Sequence, residues 1–261
     1  VNVRIALGVE YAGTHFCGWQ YQPHSRTVQD ELQKAVSTVA NHQVEVFAAG
    51  RTDTGVHALN QVVHFDTESV REQRGWLLGI NANLPKDISV NWVREVDDDF
   101  NARFTAIKRS YRYLILNRLS RSAVHHQRMW WHHHPLDIGR MRAAAEQLVG
   151  RHDFSSFRAS ECQAKSPIKT LDKIAISKQG DCIAVDVEAR SFLHHMVRNL
   201  VGVIVSIGDG SKPVEWAGDV LRSADRSRGG VTAPPDGLYL VDVRYPSEYS
   251  LPTVSGFPVL W

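Results

Sequence analysis

Hydrophobic and polar positions change period repeatedly along this chain, and each change marks an element. Val3 to Val9 is a short apolar run and reads as a buried strand, followed by a loop from Tyr11 to Gln22 rich in Gly, His and aromatic residues. Thr27 then stands as a helix cap, with Val28, Leu32, Ala35, Val36 and Val39 recurring at helical spacing and Asp30 and Glu31 in the first turn, where the dipole favours them. Val44 to Ala49 and Gln61 to Asp66 read as strands, the latter alternating Val62, His64 and Asp66 against Val63 and Phe65. A helical stretch from about Glu72 to Asn83 and a strand from Ile88 to Val96 complete an order β, α, β, β, α, β.

A second pass begins at Lys108. It predicts strands over Ser110 to Leu116 and near Met129 to Trp131, a helix over Ile138 to Val149 stopped by Gly150, and strands Lys169 to Ser177 and Cys182 to Ala189. The last two flank a Lys-Gln-Gly-Asp turn suited to a hairpin. An apolar helix His194 to Ile207, a helix Val214 to Leu221 and a strand Leu238 to Val243 follow. The reading is α+β: two tandem split β-α-β units, residues 1–106 and 107–245, forming a largely antiparallel mixed sheet with helices on one face and a cleft between the halves. The tail 246–261, with Pro252 and Pro258, reads as an extended surface segment.

Composition narrows the setting. No apolar stretch reaches the length of a bilayer span, and Arg4 and Glu10 leave no room for a signal-peptide core, so a cytoplasmic protein without a membrane is expected. Cys17, Cys162 and Cys182 are far apart and form no Cys-x-x-Cys pair, which fits a reducing compartment and no cysteine zinc site. The net charge is only +2, but residues 1–106 carry 9 Lys and Arg against 13 Asp and Glu, and residues 107–261 carry 21 against 15. The second half is the expected face for a polyanion.

Candidate chemistry concentrates in Gly50-Arg51-Thr52-Asp53-Thr54-Gly55-Val56-His57-Ala58, a polar turn between two predicted strands and expected at a sheet edge. Two glycines bracket one carboxylate, with threonine hydroxyls beside it and an arginine two residues away, so Asp53 can be held ionised and oriented as a nucleophile or base. The same residues also suit an ordinary turn. Arg198 interrupts the apolar helix and must reach solvent or meet a carboxylate, Asp53 being one candidate. Lys108 to Tyr113 interleaves cations and aromatics, with Arg109, Tyr111 and Tyr113 on one strand face, an arrangement able to stack a base and hold phosphates. The histidines at 125, 126 and 132–134 lack a helical His-x-x-x-His with a carboxylate, so no metal is expected. An aspartic protease is disfavoured, because there is one Asp-Thr-Gly and an adjacent arginine opposes proton sharing. A non-catalytic RNA-binding module of the same units is the alternative; it has no use for the Asp-Arg loop.

The loop resembles the catalytic motif of the tRNA pseudouridine synthase A family. Tyr11 to Gln20, Phe100 to Phe104, Arg109 to Tyr113, Phe192 to Asn199 and Gly237 to Leu240 resemble that family's other blocks, in order. The resemblance implies isomerisation of uridine to pseudouridine at positions 38, 39 and 40 in the anticodon arm of tRNA. Asp53 is then the catalytic carboxylate, as attacker of the sugar carbon or the base or as a base toward a sugar proton. Arg198 is its ion-pair partner, Tyr111 the aromatic against the target base, and Leu238 an apolar wall, with Thr52 and Gly55 supporting the loop. Arg51 fills the space of the flipped uridine, and Arg103, Phe104, Arg109 and Lys165 contact the RNA. A homodimer with no metal or organic cofactor is also implied.

Overall fold

The computed structural model describes residues 2–253. Contacts divide the chain into two units, one of residues up to Arg109 together with those from Tyr239, the other Ser110–Leu238.

The first unit contains β1 (Val3–Tyr11), α1 (Val28–Ala40), β2 (Phe47–Ala48), β3 (His57–Thr67), α2 (Gln73–Asn83), β4 (Ile88–Val96) and β10 (Leu238–Arg244), the last entering from the end of the other unit. Its strands lie in the order β4-β1-β3-β10. β1 is antiparallel to both β3 and β4, while β10 runs parallel to β3, with Tyr239 opposite His57. Thr27 caps α1 as expected, its hydroxyl accepting from Asp30 N. α1 places Leu32 and Val36 inside, and α2 presses Trp76 edge-on to Phe65 of β3, their ring centres 5.4 Å apart. Gly79 lets α2 approach Val39 of α1, since a Cβ there would lie 3.1 Å from the Val39 side chain.

Three expectations change here. The polar loop does not lie at a sheet edge: it feeds β3, which β1 and β10 flank. Alternation in β3 reveals a buried strand but not its neighbours, and the parallel neighbour arrives from about 180 residues downstream. For the same reason the closing strand, read as the end of the second unit, packs in the first. Only Phe47–Ala48 of the predicted strand 44–49 pairs, antiparallel to His64 and Val63.

The second unit contains most of β5 (Lys108–Asn117), then β6 (Trp130–His132), α3 (Ile138–Glu146), β7 (Gly150–Asp153), β8 (Ile168–Gln179), β9 (Cys182–Ala189), α4 (Met196–Gly208) and α5 (Trp216–Ser223). The strand order is β5-β9-β8-β7, with β6 parallel to β5. The β8–β9 hairpin turns at Gly180, whose φ of +57° needs no Cβ. α3 ends at Glu146, before the predicted stop, and Gly150 with φ +112° opens the unpredicted strand β7. Gly-Arg-His-Asp carries no apolar alternation, so nothing in it signals a strand. Among the described residues no helix is long and apolar enough to cross a membrane. Beyond Pro246 the chain forms a 3-10 turn, Ser247–Tyr249, with Tyr245 and Tyr249 packed on Phe100, so the tail is not simply extended. Its residues 254–261, Pro258 included, lie outside the described residues.

Candidate active site

The Asp53 loop is fixed on several sides within the first unit. At its start, Ala49 N donates to Val62 O (2.8 Å) and the Gln61 amide donates to Gly50 O (2.6 Å). At its apex, Thr52 is buried, its hydroxyl 2.7 Å from the Tyr11 hydroxyl and its carbonyl accepting from Trp19 N at 3.0 Å. Val56 N closes a turn on Asp53 O (3.1 Å), and Gly55, at φ +80°, donates to Phe16 O. Asp53 itself is half-buried, with Arg51 and Thr54 exposed on either side.

The cradle comes from residues 11–19, whose sequence is an irregular loop. Gly18 sits at φ +82° under the loop, and a Cβ there would lie 2.8 Å from Thr52 O. A Cβ at Gly13 would lie 1.9 Å from Val56 O. The Gly13 N–H donates to Nδ1 of buried His57 (3.0 Å), which makes that nitrogen the imidazole's acceptor, and the ring stacks on Tyr239 at 4.6 Å. Arg26 secures the cradle from outside, its guanidinium 4.1 Å above the Phe16 ring and paired with Asp87 at 2.8 Å. Backbone amides and small residues therefore hold the Asp53 segment, an arrangement suited to keeping one carboxylate oriented during reaction. Gly13, Gly18 and Tyr11 carry no sequence signal beyond the similarity of the Tyr11–Gln20 block, and His57 none beyond its place in the Gly50–Ala58 motif.

A second feature of this unit is the turn Asn101–Thr105. The Asn101 carboxamide accepts from the backbone N–H groups of Arg103 and Phe104 at 3.0 and 3.1 Å. Ala102 N donates to His64 Nδ1 (3.2 Å), and the Tyr245 hydroxyl donates to Ala102 O (2.6 Å). Burial pushes the His64 imidazolium down to about 4, and the cation of Arg4 adds to that shift. The tip is open: Phe104 is 73% exposed, with the Arg103 guanidinium 5.5 Å above its ring. Arg109, expected as an RNA contact, is buried, and its Nε and Nη2 donate to Ala49 O at 3.2 and 2.7 Å.

In the second unit, Tyr111 lies on β5 with its ring edge-on to Phe192 at 5.1 Å. Arg112, on the opposite strand face, makes a bidentate pair with Asp186 of β9 at 2.7 and 2.9 Å. Arg198 is half-buried on α4. Its Nε donates to Ala233 O (2.8 Å), while Ala233 N donates back to Arg198 O. Gly202 permits this crossing, since a Cβ there would lie 1.8 Å from Val231 O. His195 enters α4 in the left-handed region (φ 60°), a conformation uncommon for a residue with a Cβ. Leu238 is buried at the start of β10. Lys165 is exposed in the loop 159–167, which Ala159 N and Cys162 Sγ tie to His194 O and His194 N. Burial alone would raise the Cys162 thiol, but the N–H groups of His194 and Ala164 and the Arg158 charge outweigh it and lower the pKa. Each sequence-derived candidate thus has a defined place within its own unit.

The blocks that build this cradle match a known family: its model, described as tRNA pseudouridine synthase, matches residues 8–105 and 144–246. The chain belongs to that family. Among similar proteins is tRNA pseudouridine synthase A of Methylococcus capsulatus, 52% identical over 249 residues, which cover 95% of this chain and 92% of that one. The proteins of that name from Nitrosococcus oceani, 51% identical over 99% of this chain and 100% of the other, and Pseudomonas aeruginosa, 54% identical over 95% and 88%, are comparable.

Proposed function

We propose that this chain isomerises uridine to pseudouridine at positions 38, 39 and 40 of tRNA, with Asp53 as the catalytic carboxylate. The observation that carries the reading is the placement of Asp53: a half-buried carboxylate on a loop locked by Tyr11, Trp19, Gln61 and the two close glycines Gly13 and Gly18, within the family's motif. The reaction exchanges one bond for another. The N1–C1′ glycosidic bond breaks, the uracil turns within the site, C5 bonds to C1′, and the proton lost from C5 is balanced by one gained at N1. Atoms and electrons balance without a co-substrate, so one oriented carboxylate and a site that retains the free base suffice, whereas glycoside hydrolysis employs a carboxylate pair.

The remaining roles belong to the same proposal. Arg198 is the cation that serves Asp53, Tyr111 the ring against the base, Leu238 an apolar wall, and Arg51 the side chain that replaces the flipped nucleotide. Extruding a nucleotide costs a few kcal/mol, and stacking on an aromatic ring returns about 1–3 kcal/mol. Arg103, Phe104 and Lys165 support the RNA-binding side of the reading by their exposure. The proposed setting is a cytoplasmic homodimer. The test is to incubate purified protein with unmodified tRNA transcripts, without added metal, and map pseudouridine by chemical modification. Product at 38–40 is expected; RNA binding with no product would favour the non-catalytic RNA-binding alternative.

A further inference from the structure

Arg109 stands between the two features described in the first unit. It is 8% exposed. Its Nε and Nη2 both donate to Ala49 O, the carbonyl immediately before Gly50, and Nη2 also donates to Arg103 O at 2.8 Å. Two carbonyl oxygens cannot hydrogen-bond to each other, so the start of the Asp53 loop and the tip of the Asn101–Thr105 turn need a shared donor to be held at this distance. A guanidinium meets that need because its donors are fixed in one plane; an ammonium is a point with no fork. The turn also rests on His64 and Tyr245, and the loop on Gln61 and Val62. Arg109 is bonded to both.

We infer that Arg109 is a positioning residue that couples RNA contact at Arg103 and Phe104 to the setting of the Asp53 loop, and does not contact phosphate. The inference rests on the proposed function for what the loop does, while the coupling itself concerns only this chain's backbone. An exposed Arg103–Phe104 tip that takes hold of RNA pulls on the Arg103 carbonyl. Through Nη2 the displacement is passed to Ala49 O, and so to the first residue of the loop.

Two measurements on wild type, Arg109→Lys, Phe104→Ala and the double variant test it. The first is the single-turnover rate at saturating tRNA, with tRNA affinity followed against salt. Arg109→Lys keeps the charge but not the fork, so the rate should fall about 10-fold or more, a loss above about 1.4 kcal/mol, with the salt slope unchanged. Phe104→Ala should then cost much less in the lysine background than in wild type, because the link is already cut. Wild-type rate in Arg109→Lys, with Arg109→Met losing affinity and about one phosphate's share of the salt slope, would make Arg109 a phosphate contact and overturn the inference. Multiplying rate losses would overturn it as well.

The second measurement is amide hydrogen exchange with and without bound tRNA. In wild type, tRNA should slow exchange over residues 49–55; in Arg109→Lys it should bind without doing so. Equal protection in both proteins overturns the coupling. This readout does not use the reaction, so a wild-type protein that makes no pseudouridine would defeat the proposed function and leave the exchange result to decide the role of Arg109.

Discussion

Single residues matter at the candidate site because the Asp53 loop is tightly packed on the side that meets its cradle. Gly18 has a left-handed φ and a would-be Cβ 2.8 Å from Thr52 O, so Gly18→Ala meets both strain and overpacking. Left-handed strain costs about 1–2 kcal/mol and overpacking about 1–3 kcal/mol. The variant should melt several degrees lower and lose turnover even where it remains folded, as a thermal melt beside a rate measurement would register. Thr52→Val keeps the volume but removes the hydroxyl 2.7 Å from Tyr11. Its stability loss should be about 1 kcal/mol, with a larger proportional loss in rate than in tRNA affinity. On the other unit, Tyr111 presents its ring to Phe192. If the ring is what meets the base, Tyr111→Phe should retain most turnover and Tyr111→Ala should lose it; equal losses would assign the work to the hydroxyl.

Elements differ in how openly the sequence displayed them. The amphipathic helices and the strand Ile88–Val96 were legible because burial on one side writes a period into the residues, and Asp53 was legible because a glycine-bracketed carboxylate is a local pattern. β7 was not, because Gly-Arg-His-Asp carries no alternation, and the interior position of β3 and the return of β10 were not, since they depend on partners distant in sequence. The cradle at Tyr11–Trp19 showed only as a block of similarity, because it acts largely through backbone groups and close glycines whose partners the sequence does not name. The Asn101–Thr105 turn adds a pH dependence of its own. His64, which accepts from Ala102 N, titrates near 4 in the folded chain, against about 6.5 unfolded. Between those values the unfolded chain takes up a proton that the folded one refuses. Stability contributed by neutral His64 is therefore complete above about 6.5 and lost as pH falls towards 4, by up to about 3 kcal/mol. Urea unfolding at about pH 7.5 and about pH 4.5 should show a smaller pH-driven loss in His64→Gln than in wild type; equal losses would place the titration elsewhere.

At the scale of the whole molecule, the excess of cations in residues 107–261 and the exposed Lys165 bear on tRNA affinity more than on chemistry. Affinity should fall steeply with salt. Neutralising Arg103 or Lys165 should lower the slope of log affinity against log salt by about 0.7–0.9 for each phosphate the variant no longer neutralises, with the rate for bound tRNA little changed for Lys165 and lowered for Arg103, whose carbonyl is bonded to Arg109. A flat salt dependence would remove the basic RNA surface from the picture. The reaction, in contrast, is assigned to one group. Asp53→Asn preserves the shape of the side chain and removes its charge, in a loop whose cradle is built from neighbouring residues. The most direct measurement is therefore the single-turnover formation of pseudouridine at positions 38–40 by Asp53→Asn beside wild type, with tRNA binding followed on the same samples. Loss of product with binding retained is the expected result, and an asparagine variant that still makes pseudouridine would contradict the assignment of Asp53 as the catalytic carboxylate.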